Sequence, residues 1–176
     1  MGKNFIRADG ASLSGGLVPV AALGLAVGIL LKLFVLDILH VSGVSMEPAI
    51  SDGETVLVDK LAYGMNRPFS GEFYFRWRAP ERGDVVVFLH DDKIVVKRVV
   101  LVQGDRMEFL SDSGYSLVVD GKRLPVSASV YGRLGGASEV PDGYVFVLGD
   151  NLMRSVDSRD YGFVSADNIT GKVIGK

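Results

Sequence analysis

The sequence predicts a mainly β domain held behind one membrane-spanning helix. Three observations carry this prediction. Leu17–Leu31 is apolar or Gly/Pro throughout, and after Lys32 the run Leu33–Leu36 resumes the pattern. Beyond His40, short β-branched and aromatic runs alternate with turns. No sustained 3.6-residue periodicity competes in that part. A chain of 176 residues has room for an anchor plus one domain of roughly 135 residues.

The anchor comes first. Leu17 to Leu36 is 20 residues, about 30 Å as a helix, which matches a bilayer core. Pro19 sits near the first turn, where its missing N–H costs least. Lys32, toward the far end, can extend its stem to the headgroups. Lys3 and Arg7, opposed by Asp9, predict an inside N-terminus and an outside domain. No small-x-small pair follows the apolar run, so the segment reads as retained rather than cleaved. The expected organisation is therefore a short cytoplasmic N-terminus at 1–16, an anchor at 17–39 and an extracytoplasmic β-rich domain at 40–176.

Strands are expected at Thr55–Val58, Asp84–Leu89, Ile94–Val102, Ser116–Val119 and Tyr144–Leu148. Asp52-Gly53, Gly83-Asp84, Gly104-Asp105, Asp120-Gly121 and Asp142-Gly143 punctuate them as turns. Between Gly64 and Arg82, Phe69, Phe73, Tyr74, Phe75 and Trp77 mix with Arg67, Arg76 and Arg78. That mixture suits either an apolar surface near lipid headgroups or ordinary packing. Asp105–Pro141 reads as a small elaboration between two better-defined blocks.

Composition removes several chemistries. A formal charge of -2 gives no general pull toward nucleic acid. The absence of Cys removes disulfides, thiolate catalysis and Cys-rich zinc sites. Asp150, Asn151, Asp157 and Asp160 offer oxygen ligands, but their spacing does not fit the twelve-residue calcium loop. No metal and no cofactor are expected. With only His40 and His90 present, Ser with Lys is the nucleophile–base pairing best supplied.

Ser45 lies just beyond the anchor in Ser42-Gly43-Val44-Ser45-Met46-Glu47-Pro48, and Lys97 follows in Ile94-Val95-Val96-Lys97-Arg98-Val99-Val100. A free lysine, with a pKa of about 10.4, is a poor base at neutral pH; burial without a carboxylate partner lowers it. Strand alternation puts Lys97 on one face with Val95 and Val99, and Arg98 on the other with Val96. Each residue also has an ordinary reading, since strand lysines commonly face water and Ser-Met-Glu-Pro makes a plain turn. The run Gly149–Gly162 packs carboxylates, hydroxyls and arginines after the last predicted strand. Exposed, such a loop is worth little to stability.

These blocks resemble the type I (leader) signal peptidases, membrane-bound Ser–Lys proteases. The likeness rests on Ser42–Ile50, Asp52–Leu61 (DGETVLVDKL), Arg82–Phe88 with Val95–Asp105 (RGDVVVF and VVKRVVLVQGD), and Gly149–Gly162 (GDNLMRSVDSRDYG), in that order behind an anchor. The resemblance implies coiled antiparallel sheets, Ser45 as nucleophile and Lys97 as general base. It also implies an oxyanion held by the Ser45 N–H, Ser155 as the hydroxyl orienting Lys97, and Asp157, Arg159 and Asp150 as supports. Val44, Met46, Ile94 and Val95 would line the substrate pockets. The implied substrates are exported preproteins cut at small-x-small sites, at the outer face of a bacterial cytoplasmic membrane.

Two positions depart from the family pattern. Gly43 stands where some members carry an oxyanion-hole serine, and Leu152 replaces the arginine of GDNR. Two other functions remain compatible with the sequence: a specialised peptidase for pilins or another narrow exported set, and a catalytically silent, membrane-anchored β assembly factor.

Overall fold

The computed structural model describes residues 14–67 and 73–176. The charges Lys3, Arg7 and Asp9, and Phe69 of the aromatic cluster, lie outside the described residues. Helix α1 (Ser14–Phe34) begins the described chain, and β1 (Leu36–His40) follows after a single residue. From Leu17 to Leu31 the leucines and valines of α1 remain exposed on the protein. Gly16–Phe34 is 19 residues, about 28 Å of helix, long enough to span hydrocarbon.

The helix stops earlier than the apolar pattern suggests. Residues 36–39, expected to belong to the 17–39 anchor, instead join His40 in a strand paired residue by residue with Asp59 down to Thr55. Short apolar runs do not reveal by periodicity whether they are helix or strand. Here a partner strand satisfies the backbone, and that decides the outcome. Lys60 fastens the junction. Its Nζ donates to the Leu33 carbonyl at 2.7 Å, and its N–H donates to the Val35 carbonyl at 2.9 Å.

The remaining strands, in chain order, are β2 (Thr55–Asp59), β3 (Gly64–Asn66), β4 (Phe73–Arg76), β5 (Val85–His90), β6 (Lys93–Val102), β7 (Glu108–Leu110), β8 (Ser116–Val119) and β9 (Lys122–Pro125). After helix α2 (Ala128–Leu134) come β10 (Tyr144–Leu148), helix α3 (Ser158–Tyr161), β11 (Val164–Ser165) and β12 (Ile169–Gly175). Seven strands form one antiparallel sheet in the order β1-β2-β12-β5-β6-β10-β11. Three of its pairings shift register, as at Phe146/Val147. Such irregularities bend strands and increase twist. The protein is thus mainly β behind one apolar helix, as predicted.

All five predicted strands form, with ends displaced by no more than one residue. The run Val85–Phe88 is continuously apolar because both faces of β5 are covered. Val86 and Phe88 pack with Tyr63, Val99 and Ile169, while Val87 packs with Val41, Met46 and Ile50. The 105–141 elaboration is a three-stranded sheet, β7-β8-β9, with α2. Its Leu117, Leu124 and Val130 share a core with Leu101 and Phe146 of the main sheet. Helix α2 is not legible in the sequence. Seven residues are too few to display a helical period, and α2 begins instead on a local signal, Ser127 Oγ accepting from Val130 N–H at 3.2 Å.

Candidate active site

Ser45 lies in the connection between β1 and β2, which is tied at several points. Val41 N–H donates to Glu54 O at 2.8 Å, and Gly53 N–H donates back to Val41 O at 2.9 Å. Gly43 N–H donates to Asp52 Oδ1 at 2.7 Å. Met46 and Ile50 are sunk in the core beneath, and Ile50 N–H closes a turn onto Met46 O at 2.9 Å. Ser45 is therefore presented by a turn nailed down immediately after it.

Lys97 comes from the middle of β6, opposite Val86 of β5. Alternation buries Lys97, Val99 and Leu101 and turns Arg98 to the other face. Only 4% of Lys97 is exposed, and its Nζ lies 2.8 Å from Ser45 Oγ. A charged ammonium donates across that gap; a neutral amine accepts the hydroxyl proton there. Burial pushes Lys97 below its ordinary pKa, and the negative charge of Asp157 pushes partly back. The ordinary reading of a water-facing strand lysine is excluded.

A cleft of about 290 Å³ opens at this pair. Leu39, His40, Val41 and Ser42 form one side; Ile94, Val95, Val96 and Lys97 form the other, with Ser45 and Met46 between them. Met46, Ile94 and Val95 thus line the cleft. Val44 does not: it is half-buried outside, and its carbonyl accepts from Asn151 Nδ2 at 3.1 Å. The part played by Leu39 is not legible in the sequence, because the apolar run that contains it reads equally as a helix end.

The 149–162 segment closes the rear of the site. Asn151 N–H donates to the Ser45 carbonyl at 3.0 Å. Asp150 accepts two bonds from Arg98, Nε and Nη2 both at 2.7 Å, a bidentate geometry that fixes the loop to β6. Asp157 is fully buried. It caps α3, accepts from Gly149 N–H at 3.0 Å, and pairs with Arg159 Nε at 2.8 Å and Nη2 at 2.9 Å. Burial alone would raise this carboxyl, but the Arg159 guanidinium, the Gly149 N–H and the Ser155 hydroxyl outweigh it and hold the pKa below the usual range. Ser155 Oγ itself is buried without a hydrogen bond of normal geometry, and it makes none to Lys97. A Cβ on Gly149 would strike both Ser155 Oγ and the Ser45 carbonyl oxygen, so glycine is required there. Gly149, Asn151 and Arg98 were not singled out as site residues in the sequence. The close approach at Gly149 and the long-range bonds of the other two exist only in three dimensions.

Gly43 adopts φ of +102°, a backbone state that side-chain-bearing residues rarely enter, so a serine there is disfavoured. Leu152 and Arg154 are both exposed. Among the described residues, no group of three or more His, Cys, Asp or Glu is arranged to hold a metal. Tyr74, Phe75 and Trp77 stand exposed, while Arg76 stacks 4.3 Å over the Phe73 ring.

Residues 15–175 match the model of the family described as signal peptidase, peptidase S26. The chain is 36% identical over 160 residues to a signal peptidase I of Bacillus caldolyticus, covering 81% of this chain and 80% of that one. It is 33% identical over 150 residues to signal peptidase I V of Bacillus subtilis, covering 76% of this chain and 80% of that one. It is 30% identical over 167 residues to a probable signal peptidase I-2 of Synechocystis, covering 89% and 69%. A membrane-anchored β domain carrying this serine–lysine pair, matched over nearly its whole length, belongs to the bacterial signal peptidase I family.

Proposed function

We propose that this protein is a membrane-anchored serine endopeptidase that removes N-terminal signal peptides from exported preproteins at small-x-small sites. The observation that carries the reading is the 2.8 Å approach of Lys97 Nζ to Ser45 Oγ, with the lysine buried beside an apolar cleft. Desolvation without a direct carboxylate partner favours the neutral amine, the form that serves as a base.

In this reading Ser45 Oγ attacks the scissile carbonyl, and its proton passes to Lys97 Nζ. The Ser45 N–H faces the developing oxyanion. Collapse of the tetrahedral intermediate breaks the C–N bond, and Lys97 returns the proton to the departing amine of the mature chain. Lys97 then takes a proton from water as that water attacks the acyl ester, and Ser45 Oγ recovers it on release. The cleft between β1 and β6 takes the signal-peptide side. Leu39, Val41, Ile94 and Val96 give it apolar walls, and its modest volume suits small side chains. Ser155, Asp157, Arg159 and Asp150 support the site without touching the reacting atoms.

The residues from Leu36 onward form the catalytic domain on the extracytoplasmic side of a bacterial cytoplasmic membrane, with α1 in the bilayer and residues before it in the cytoplasm. Tyr74, Phe75 and Trp77 meet lipid headgroups there.

The test is cleavage of a synthetic preprotein bearing an Ala-x-Ala site by detergent-solubilised wild type, Ser45→Ala and Lys97→Ala, with product masses read directly. Cleavage after the final Ala by wild type alone is expected. Equal cleavage by all three removes the dyad, and inactivity of a folded wild type returns the protein to the silent assembly-factor reading.

A further inference from the structure

The junction between α1 and β1 contains no linker. Val35 alone separates them, and its N–H donates to Leu31 O at 2.8 Å, continuing the helical pattern. Lys60 then takes two carbonyls that a helix end leaves unsatisfied, Leu33 O through Nζ at 2.7 Å and Val35 O through its N–H at 2.9 Å. A cation at a helix C-terminus is also favoured by the helix dipole. Immediately afterwards Leu36–His40 pairs in unbroken register with β2. The far end of that same strand supplies Leu39 and His40 to the cleft, and Val41 follows directly. Bilayer helix and cleft wall are thus one continuous, doubly fastened piece. From Phe34 to Leu39 is five residues, at most about 17 Å of extended chain.

Resting on the endopeptidase reading above, we infer that the α1–β1 joint locked by Lys60 is a specificity device, setting the height above the bilayer at which a membrane-inserted substrate is cut. A preprotein whose apolar helix ends at the same interface must cross that height as extended chain, about five residues, before its scissile bond reaches Ser45. Physical reach makes the discrimination one-sided. Shorter spacers cannot arrive at all. Longer ones lose only loop-closure entropy, about threefold per doubling of length.

The experiment uses the full chain in phospholipid vesicles. Its probes are preproteins with one fixed apolar helix and an Ala-x-Ala site moved outward a residue at a time, with a soluble Ala-x-Ala peptide as control. Wild type is expected to show a steep cutoff near five residues and a shallow decline beyond. Lys60→Met, and separately a Gly-Ser-Gly-Ser insertion after Val35, free the domain to tilt. Both are expected to move the cutoff to shorter spacers while soluble-peptide turnover stays unchanged. An unmoved cutoff in both variants overturns the inference. So does a loss of soluble-peptide turnover in both, which would make the joint part of the catalytic fold. Failure of wild type on the soluble peptide would instead sink the endopeptidase reading beneath it.

Discussion

Replacing Asp157 by Asn changes one atom at the most heavily bonded buried carboxylate beside the site, and it separates two roles. Asn Oδ1 still accepts from Arg159 N–H, so the cap on α3 survives. The carboxylate charge facing Arg159 is lost, and the amide NH2 at the Oδ2 position accepts neither from Arg159 Nη2, at 2.9 Å in the wild type, nor from Gly149 N–H, at 3.0 Å. Breaking a buried ion pair costs about 3–5 kcal/mol. Arg159 keeps Nε on Oδ1 and Nη2 on Ser155 O at 3.2 Å, which argues for the low end, about 3 kcal/mol. For a domain of this size that lowers Tm by about 6–12 °C.

The loss depends on pH. The folded pKa of Asp157 is depressed, so its contribution is fully present above the unfolded carboxyl value and disappears as pH falls through the folded one. Wild type and Asp157→Asn therefore converge in stability under acid conditions. Removing the negative charge also removes what props up the pKa of Lys97. The rising limb of kcat/KM against pH is expected to move to lower pH in the variant. Thermal unfolding in detergent across pH, with peptide cleavage on the same samples, reads both effects. A loss below about 1 kcal/mol at neutral pH, or a rising limb that moves upward, refutes the reasoning.

Lys97→Met is expected to lower cleavage at least about 10²–10⁴-fold, the usual contribution of a general base, and at neutral pH to raise thermal stability. The unfolded chain binds more protons than the folded one from the depressed folded pKa up to the ordinary 10.5, so the wild-type deficit shrinks as pH rises through that window. Gly149→Ala drives a methyl into Ser155 Oγ and the Ser45 carbonyl. Its expected cost is about 1–3 kcal/mol together with loss of turnover, checked by unfolding and peptide cleavage. Gly43→Ser installs the hydroxyl used by some relatives but strains a φ of +102°. It is expected to destabilise by about 1–3 kcal/mol without raising kcat. Leu152→Arg restores the family residue at an exposed position, and a stability change within about 0.5 kcal/mol is expected from unfolding curves.

How far the sequence reaches depends on whether a feature is local. The strands were legible because β-branched runs between Gly and Asp turns carry their own signal; Ser116–Val119 and Tyr144–Leu148 form as read. The face of Lys97 was legible for the same reason, since a two-residue alternation decides which neighbours it keeps. Leu36–His40 was not, because an apolar run is equally a helix end or a strand until a partner claims its backbone, and Thr55–Asp59 is that partner.

Residue types and order thus determined the mainly β class, the membrane-length helix and the choice of Ser45 with Lys97. Tertiary structure alone decided the 2.8 Å approach of that pair. It also decided that Arg98 serves Asp150, that Asn151 holds the backbone of Val44 and Ser45, and that Lys60 Nζ ties the end of α1 to the strand that follows β1. Every one of these contacts joins residues more than 25 positions apart. Periodicity and turn chemistry act over a few residues, whereas these distances are set by how a twisted, bulged sheet brings separate strands together.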